Sequence, residues 1–446
     1  MIDPPASAFA TARTTGRHLL LLEEDAATAA ARHLKQSAGL TVARTGQAKD
    51  GLLAAGEAEA ADAVIYDRLG VAVVATAPDQ LERLGAGGPA AETGILLMEP
   101  ERPVFALDVQ PPVPCASGAA GRPSGLSAEY LRGYRDAVLH LTERAGHATS
   151  PSTASTWSPP LDESKLTWGL VLTGAAMSTY TGAGVRVAVL DTGIDRNHPD
   201  FAGRDVVAQS FVDGEEVQDG HGHGTHCVGT ACGPRVPGEL PRYGVACEAQ
   251  IYAGKVLSNR GEGKDESLLA GIQWAVANRC PVVSMSLGSP TEPGAPYSRV
   301  FEQVGRRARK QGSAIVAAAG DDSRREAGVV RPVSHPANCP SIMAVAALDA
   351  QLGVASFSNQ GQERGGGQID FAGPGVDVHS TWPMPTRYRR LSGTSMASPH
   401  VAGVVALLAQ SEPDASPGEL MALLAETALR LSLASTDAGA GLVQAP

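Results

Sequence analysis

In the second half of the chain, short unbroken apolar runs at 185–190, 249–253, 282–287, 314–319 and 342–347 alternate with helix-length stretches such as 266–277 and 300–311. Strands buried on both faces read this way, so the pattern predicts an α/β fold: a doubly wound, mostly parallel sheet with helices on both faces. In such a sheet the chemistry lies beyond the carboxyl ends of the strands. The first half reads differently. Strand-like runs at 18–22, 40–43, 63–66, 71–75 and 95–100 interleave with helical stretches at 26–36 and 78–84. That is the order of a small α+β unit of the split β-α-β kind.

Between these halves, residues 108–126 are rich in Pro, Gly and Ala and read as a connector. Ser127 reads as the N-cap of a helix reaching about residue 144, and 147–160 is a Ser/Thr/Pro-rich linker. Three parts are expected: 1–105, 106–160 and 161–446. No internal repeat of fixed period is visible, and the small, polar tail after Leu431 reads as a loose end.

Composition removes several alternatives. Of 446 residues, 43% are hydrophobic and 19% charged, and no apolar run approaches the roughly 20 residues of a membrane span. A net charge of −11 argues against a nucleic-acid footprint. The six cysteines form no C-x-x-C pair, so free, mostly buried thiols are expected rather than a disulfide framework. Leu19–Leu22 is too short for a signal sequence and is followed at once by Glu23-Glu24-Asp25. The expected location is the cytoplasm, or outside it by a non-classical route.

Three glycine-flanked turns carry candidate chemistry. The run 185–190 ends in Asp191-Thr-Gly, which places a carboxylate at a strand's carboxyl end. The stretch Asp219-Gly-His-Gly-His-Gly-Thr-His226 opens a helix, and its histidines, His221, His223 and His226, match no common metal-ligand spacing. A catalytic imidazole is the better reading. Ser395 stands in the first turn of an apolar helix, where unpaired N–H groups and the macrodipole favour an oxyanion. Pro399 fits within the first turns, and Gly393, Ala397 and Gly403 allow close packing.

Val189-Leu-Asp-Thr-Gly193, His223-Gly-Thr-His226 and Gly393-Thr-Ser-Met-Ala-Ser-Pro399, in that order, resemble the subtilisin-like serine proteases, or subtilases, over residues 165–430. The wording of 222–227 is most similar to the proteinase K and thermitase branches. The resemblance implies that Ser395 is the nucleophile, His223 the general base and then acid, and Asp191 the orienter of the imidazole. It also implies that Ser286, Leu287 and Gly288 pair with an extended peptide. Ala318, Ala319 and Gly320 would wall the pocket for the residue at the cut, and Ser334 would floor it, with a cis bond before Pro336. His226 and Cys227 resemble packing positions without a catalytic step.

In the oxyanion region, which takes in Ser395 and Thr394, Asp321 stands where the family usually has an asparagine that donates to the oxyanion. An ionised carboxylate has no donor, so slow turnover is expected. A protonated Asp321 could donate, which places the expected optimum below neutral pH. No cofactor is required by this chemistry. Asp200, Asp213, Glu215 and Asp219 resemble calcium ligands of the thermitase branch, with a plain solvated acidic loop as the other reading. The unit at 1–105 resembles the family's ferredoxin-like inhibitory propeptides. The expected partners are therefore an extended peptide or protein substrate and the chain's own N-terminal domain as inhibitor, not nucleic acid or membrane. The competing function is a weakly catalytic or non-catalytic subtilase fold that binds peptides or a partner protein.

Overall fold

The computed structural model describes residues 14–48, 53, 56–58, 60–85, 90–107, 162–362 and 366–446. The helix expected at 127–144, the linker at 147–160 and Cys115 lie outside them. The N-terminal unit runs β1 (His18–Leu22), α1 (Ala27–Ala38), β2 (Val42–Arg44), β3 (Ala63–Tyr66), β4 (Val71–Val74), α2 (Pro78–Gly85) and β5 (Ile95–Pro100). Its sheet has the order β2-β3-β4-β1-β5, with β1 antiparallel to β4 and β5, and β3 antiparallel to β4. This is the split β-α-β order, with the short β2 added at one edge.

Successive strand residues face opposite sides of a sheet, and here both sides are covered. Leu20, Leu22, Ile65 and Val74 pack on Ala30, Ala31 and Leu34 of α1. Leu19, Leu21, Val64, Tyr66, Val71 and Val73 join the main core, which includes Leu268, Val300 and Val304. Two buried faces explain why these strands read as continuous apolar runs rather than as alternating ones.

The rest of the chain contains β6 (Pro103–Ala106), β7 (Arg186–Asp191), β8 (Val206–Ser210), α3 (His223–Cys232), β9 (Gln250–Lys255), β10 (Glu262–Lys264) and α4 (Asp265–Ala277). There follow β11 (Val282–Met285), β12 (Leu287–Gly288), α5 (Arg299–Lys310), β13 (Ala314–Ala318), β14 (Met343–Leu348) and β15 (Phe371–Pro374). The chain closes with β16 (Val378–Thr381), β17 (Tyr388–Leu391), α6 (Thr394–Ser411) and α7 (Pro417–Thr427). Seven strands form a sheet in the order β15-β14-β13-β11-β7-β9-β8, every neighbouring pair parallel. The sequence pattern misses β8 and β15. The first is an edge strand with alternate exposure, and the second is Phe-Ala-Gly-Pro, with no β-branched residue.

The tail after Leu431 is a correction to the expected loose end. Leu442 and Val443 are fully buried, Leu442 and Leu429 exchange two backbone hydrogen bonds, and the Ala445 N–H donates to Thr173 O. Buried Ala438, Leu442 and Val443, backbone bonds and the pairing of Asp437 with Arg325 and Gln360 hold it, scattered contacts that do not register as a hydrophobic pattern. Leu442→Ala should cost about 2–5 kcal/mol, the usual range for emptying a buried leucine site. Urea unfolding checks this, and an unchanged midpoint would mean that the tail contributes nothing.

Candidate active site

Asp191 ends β7, 1% exposed, and its Oδ1 accepts from His223 Nδ1 at 2.8 Å. His223 opens α3 directly after Gly222, whose φ is 106°. A Cβ on Gly222 would also lie 2.4 Å from the Trp382 ring, so glycine is needed there for two reasons. The turn itself is organised by Asp219, 2% exposed. Its Oδ1 accepts from Thr192 Oγ1, His221 N and Gly222 N, and its Oδ2 from the N–H and hydroxyl of Thr225. Lys255, fully buried at the end of β9, donates to Thr192 O at 2.6 Å, tying the neighbour of Asp191 from below.

Ser395 lies in the first turn of α6 and is fully buried. Pro399 has no N–H with which to bond the carbonyl four residues earlier. That freed Ser395 carbonyl accepts instead from Ser286 Oγ at 2.8 Å and from the Cys227 thiol at 3.5 Å. The Ser395 hydroxyl donates to Ser286 O at 3.0 Å. His223 Nε2, buried, has no hydrogen-bond partner among the described residues. Burial disfavours a charged His223, but the Asp191 carboxylate outweighs it and holds the imidazole pKa well above 6.5. Burial pushes His226 down to about 3 and Cys227 up to about 11, so both are neutral neighbours. His226 Nε2 meets Val378 O and Arg389 O, tying α3 to the β16–β17 hairpin.

The oxyanion region is assembled as a group. Asp321 Oδ1 accepts from the Thr394 N–H at 2.8 Å, and Thr394 Oγ1 accepts from the Gly320 N–H at 3.0 Å. Ala318, Ala319 and Ser334 are fully buried, and a Cβ on Gly320 would meet Ser334 Oγ and Asn359 Nδ2, each at 2.3 Å. Asn359 also binds Asp322 through both its amide atoms. The sequence carries no signal for Asn359, because only the fold brings it beneath Gly320. The His335–Pro336 bond is cis.

A strand already fills the groove beside Ser286-Leu287-Gly288. β6 lies between β10 and β12, antiparallel to both, with Phe105 opposite Glu262 and Gly288, and Ala106 opposite Leu287. Val104 is fully buried, and Leu107, 9% exposed, reaches within 3.3 Å of where a Gly288 Cβ would stand. The segment leading into β6 caps two helices. Glu99 accepts from Ser298 Oγ and Arg299 N at the start of α5, and Glu101 Oε1 from Glu266 N at the start of α4.

The four carboxylates considered for calcium do not converge. Among the described residues the group with ligand atoms close enough for a metal is Asp191, His223 and Cys227. Asp200 Oδ2 accepts from Tyr243 OH at 2.5 Å and Tyr388 OH at 2.9 Å, and its Oδ1 from Gly238 N. Glu215 pairs with Lys255, Asp213 is exposed, and Asp219 is fully engaged by the turn it organises. Donors take oxygens of Asp200, Glu215 and Asp219 that a calcium ion would need, and Asp213 stands apart in solvent, so the four residues do not make a ligand set for the ion.

A parallel sheet with a buried Asp-His pair at its carboxyl ends and a serine at a helix N-terminus beyond it defines an α/β serine hydrolase. The model of the Subtilase family (Peptidase_S8) matches residues 182–443, and the chain belongs to that family. It is 40% identical to subtilisin DY of Bacillus licheniformis over 254 residues, 56% of this chain and 86% of that protein. It is 43% identical to subtilisin Savinase of Lederbergia lenta over 267 residues, 59% and 90% of the two. With subtilisin E of Bacillus subtilis (strain 168) the identity is 39% over 254 residues, 56% and 62%. The chain is a serine endopeptidase. The five described cysteines, Cys227, Cys232, Cys247, Cys280 and Cys339, are free and buried.

Asp219→Ala should orphan five donors, four of them buried, and destabilise the fold by at least about 3 kcal/mol, since each such buried group costs about 1–3 kcal/mol. Urea unfolding measures this, and a loss below about 1 kcal/mol would show that water replaces the carboxylate.

Proposed function

We propose that the chain is an endopeptidase made as a self-inhibited zymogen, with Ser395 as nucleophile, His223 as base and then acid, and Asp191 as orienter. The observation that carries the zymogen reading is the course of β6, which adds to β10 and β12 as an extended substrate would. The register, continued by one residue, brings Leu107 opposite Ser286. Leu107–Asp108 is then the first bond cut, and the residue at the cut is medium-sized and apolar. Rotation of Ser395 about χ1 exchanges its bond to Ser286 O for one to His223 Nε2, which takes the proton as Oγ attacks the Leu107 carbonyl. The imidazolium passes that proton to the leaving amine, and water then releases the acyl group. Glu99 and Glu101, which cap two helices of the catalytic unit, hold the released piece in place as an inhibitor.

Asp321 makes this enzyme slow in the proposed mechanism. Its charge faces the developing oxyanion, and loss of the usual donor, a value established on subtilisin itself, costs about 10²–10³ in kcat. The engaged Ser395 hydroxyl and this carboxylate also favour a second reading, a peptide-binding protein with little or no turnover. A fluorophosphonate probe separates the two. Full-length chain should be labelled once a fragment ending at Leu107 appears, and Ser395→Ala should neither label nor cut. An unlabelled wild type supports the binder, and a cut in Ser395→Ala rules out self-processing.

Asp321→Asn should raise kcat by at least about tenfold, a conservative share of the donor's value. The base must be neutral, so a raised pKa keeps His223 protonated until the pH climbs past it. Activity therefore rises with pH through that value and is lost as pH falls. The optimum below neutral pH expected from Asp321 alone gives way to one on the alkaline side. Profiles of kcat against pH for both proteins check this, and superimposed curves would sink the oxyanion argument.

A further inference from the structure

We infer that Asp265, steadied by His335, is a recognition group for a basic substrate residue at the sixth position before the cut. The inference rests on reading β6 as a substrate mimic. The ladder between β10 and β6 ends at Lys264 opposite Pro103, because α4 begins at Asp265 and turns the backbone away. Pairing nevertheless continues by one residue. The Asp265 N–H donates to Arg102 O at 3.0 Å, and Asp265 Oδ2 accepts from the Arg102 N–H at 2.9 Å. A side-chain carboxylate here does the work of the backbone carbonyl that the helix has removed from the ladder.

That carboxylate is fully buried, an expensive place for a charge unless it is paired. Its second oxygen meets His335 Nε2 at 3.0 Å, and His335 is itself held by two backbone bonds with Ser289 and by the edge of Phe301. The remaining charge faces a cation. Arg102 Nη1 is buried, lies 3.9 Å from Asp265 Oδ2 and 3.7 Å from Glu99 Oε2, and makes no hydrogen bond to either. Glu99 belongs to the N-terminal unit and leaves with it, whereas Asp265 stays with the catalytic unit. A substrate arriving in the emptied groove therefore meets Asp265 as the carboxylate at that position. An arginine or lysine there can approach it more closely than Arg102 does. The substrate class is an extended polypeptide with at least six residues on the amino side of the cut, basic at the first and apolar at the sixth.

Two measurements test this independently. In full-length Ser395→Ala protein, Asp265→Ala should raise amide hydrogen exchange of residues 102–107 by about tenfold, the scale of one lost charge-assisted contact, while the central strands exchange as before. Unchanged exchange at 102–107 overturns the proposal, and so does a rise spread over the central sheet, which would assign Asp265 to general stability. In the second measurement the full chain, after self-processing, hydrolyses Arg-Pro-Val-Phe-Ala-Leu and Gln-Pro-Val-Phe-Ala-Leu peptides carrying a fluorogenic leaving group. The Arg peptide should have kcat/KM about tenfold higher, mainly through KM, and Asp265→Asn should erase the difference. Equal rates for the two peptides in the wild type overturn the proposal. Absence of any hydrolysis counts against the zymogen and enzyme reading instead, and hydrogen exchange then decides the role of Asp265.

Discussion

The groove between β10 and β12 has two facing strand edges whose backbone groups must be hydrogen-bonded if they are to lie in a dry interior. In this chain β6 supplies those bonds, which allows Val104 to be fully buried at the centre of the groove. The N-terminal sheet rests on the helices beside this groove. Its lower face merges with residues of α4 and α5, and Arg307 of α5 donates to the carbonyls of Leu22, Leu69 and Gly70. An edge that accepts any extended backbone is what the proposed zymogen would use to hold a segment of its own chain. In the proposed mechanism the geometry that would recognise substrate is the geometry that holds β6.

Around this groove the protein buries an unusual set of charges, and each one is answered locally. Asp191 faces His223, Asp219 faces five donors, Lys255 faces Thr192 O and Glu215, and Asp265 faces His335 and Arg102 N. A buried charge is tolerable only with such partners, and removing one partner leaves the other exposed to the full cost of desolvation. Asp200 belongs to the same pattern. Two tyrosine hydroxyls and an amide satisfy it, so the loop around it is held by hydrogen bonds rather than by an ion.

Pro399 shows how a helix can serve the site by an omission. Without an N–H at 399 the Ser395 carbonyl is free to bind Ser286 and Cys227, which fastens the serine's backbone to β11–β12 on one side and to α3 on the other. Three elements that carry the proposed catalytic serine, histidine and substrate strand are thereby locked at one point. The apolar helix that follows packs on the sheet through fully buried Val401, Val404 and Leu407.

What the sequence by itself determined follows from local pattern. Unbroken apolar runs announced the parallel sheet, the β1–β5 unit was legible from strand and helix order, and three glycine-flanked turns singled out Asp191, His223 and Ser395 as candidates. These features are local because turn chemistry and burial on both faces leave a mark on neighbouring residues. The tertiary structure alone decided the rest. Asn359 lies beneath Gly320 and Leu442 pins the tail with no signal at either position, while Asp219 and Asp200, visible as acidic residues, have their roles set by the donors that the fold brings to them. The pairing of Asp265 with His335 joins residues 70 positions apart. A lone Asp at a helix start reads as ordinary, and only the fold, by closing water off from it, turns that carboxylate into something that needs a cation.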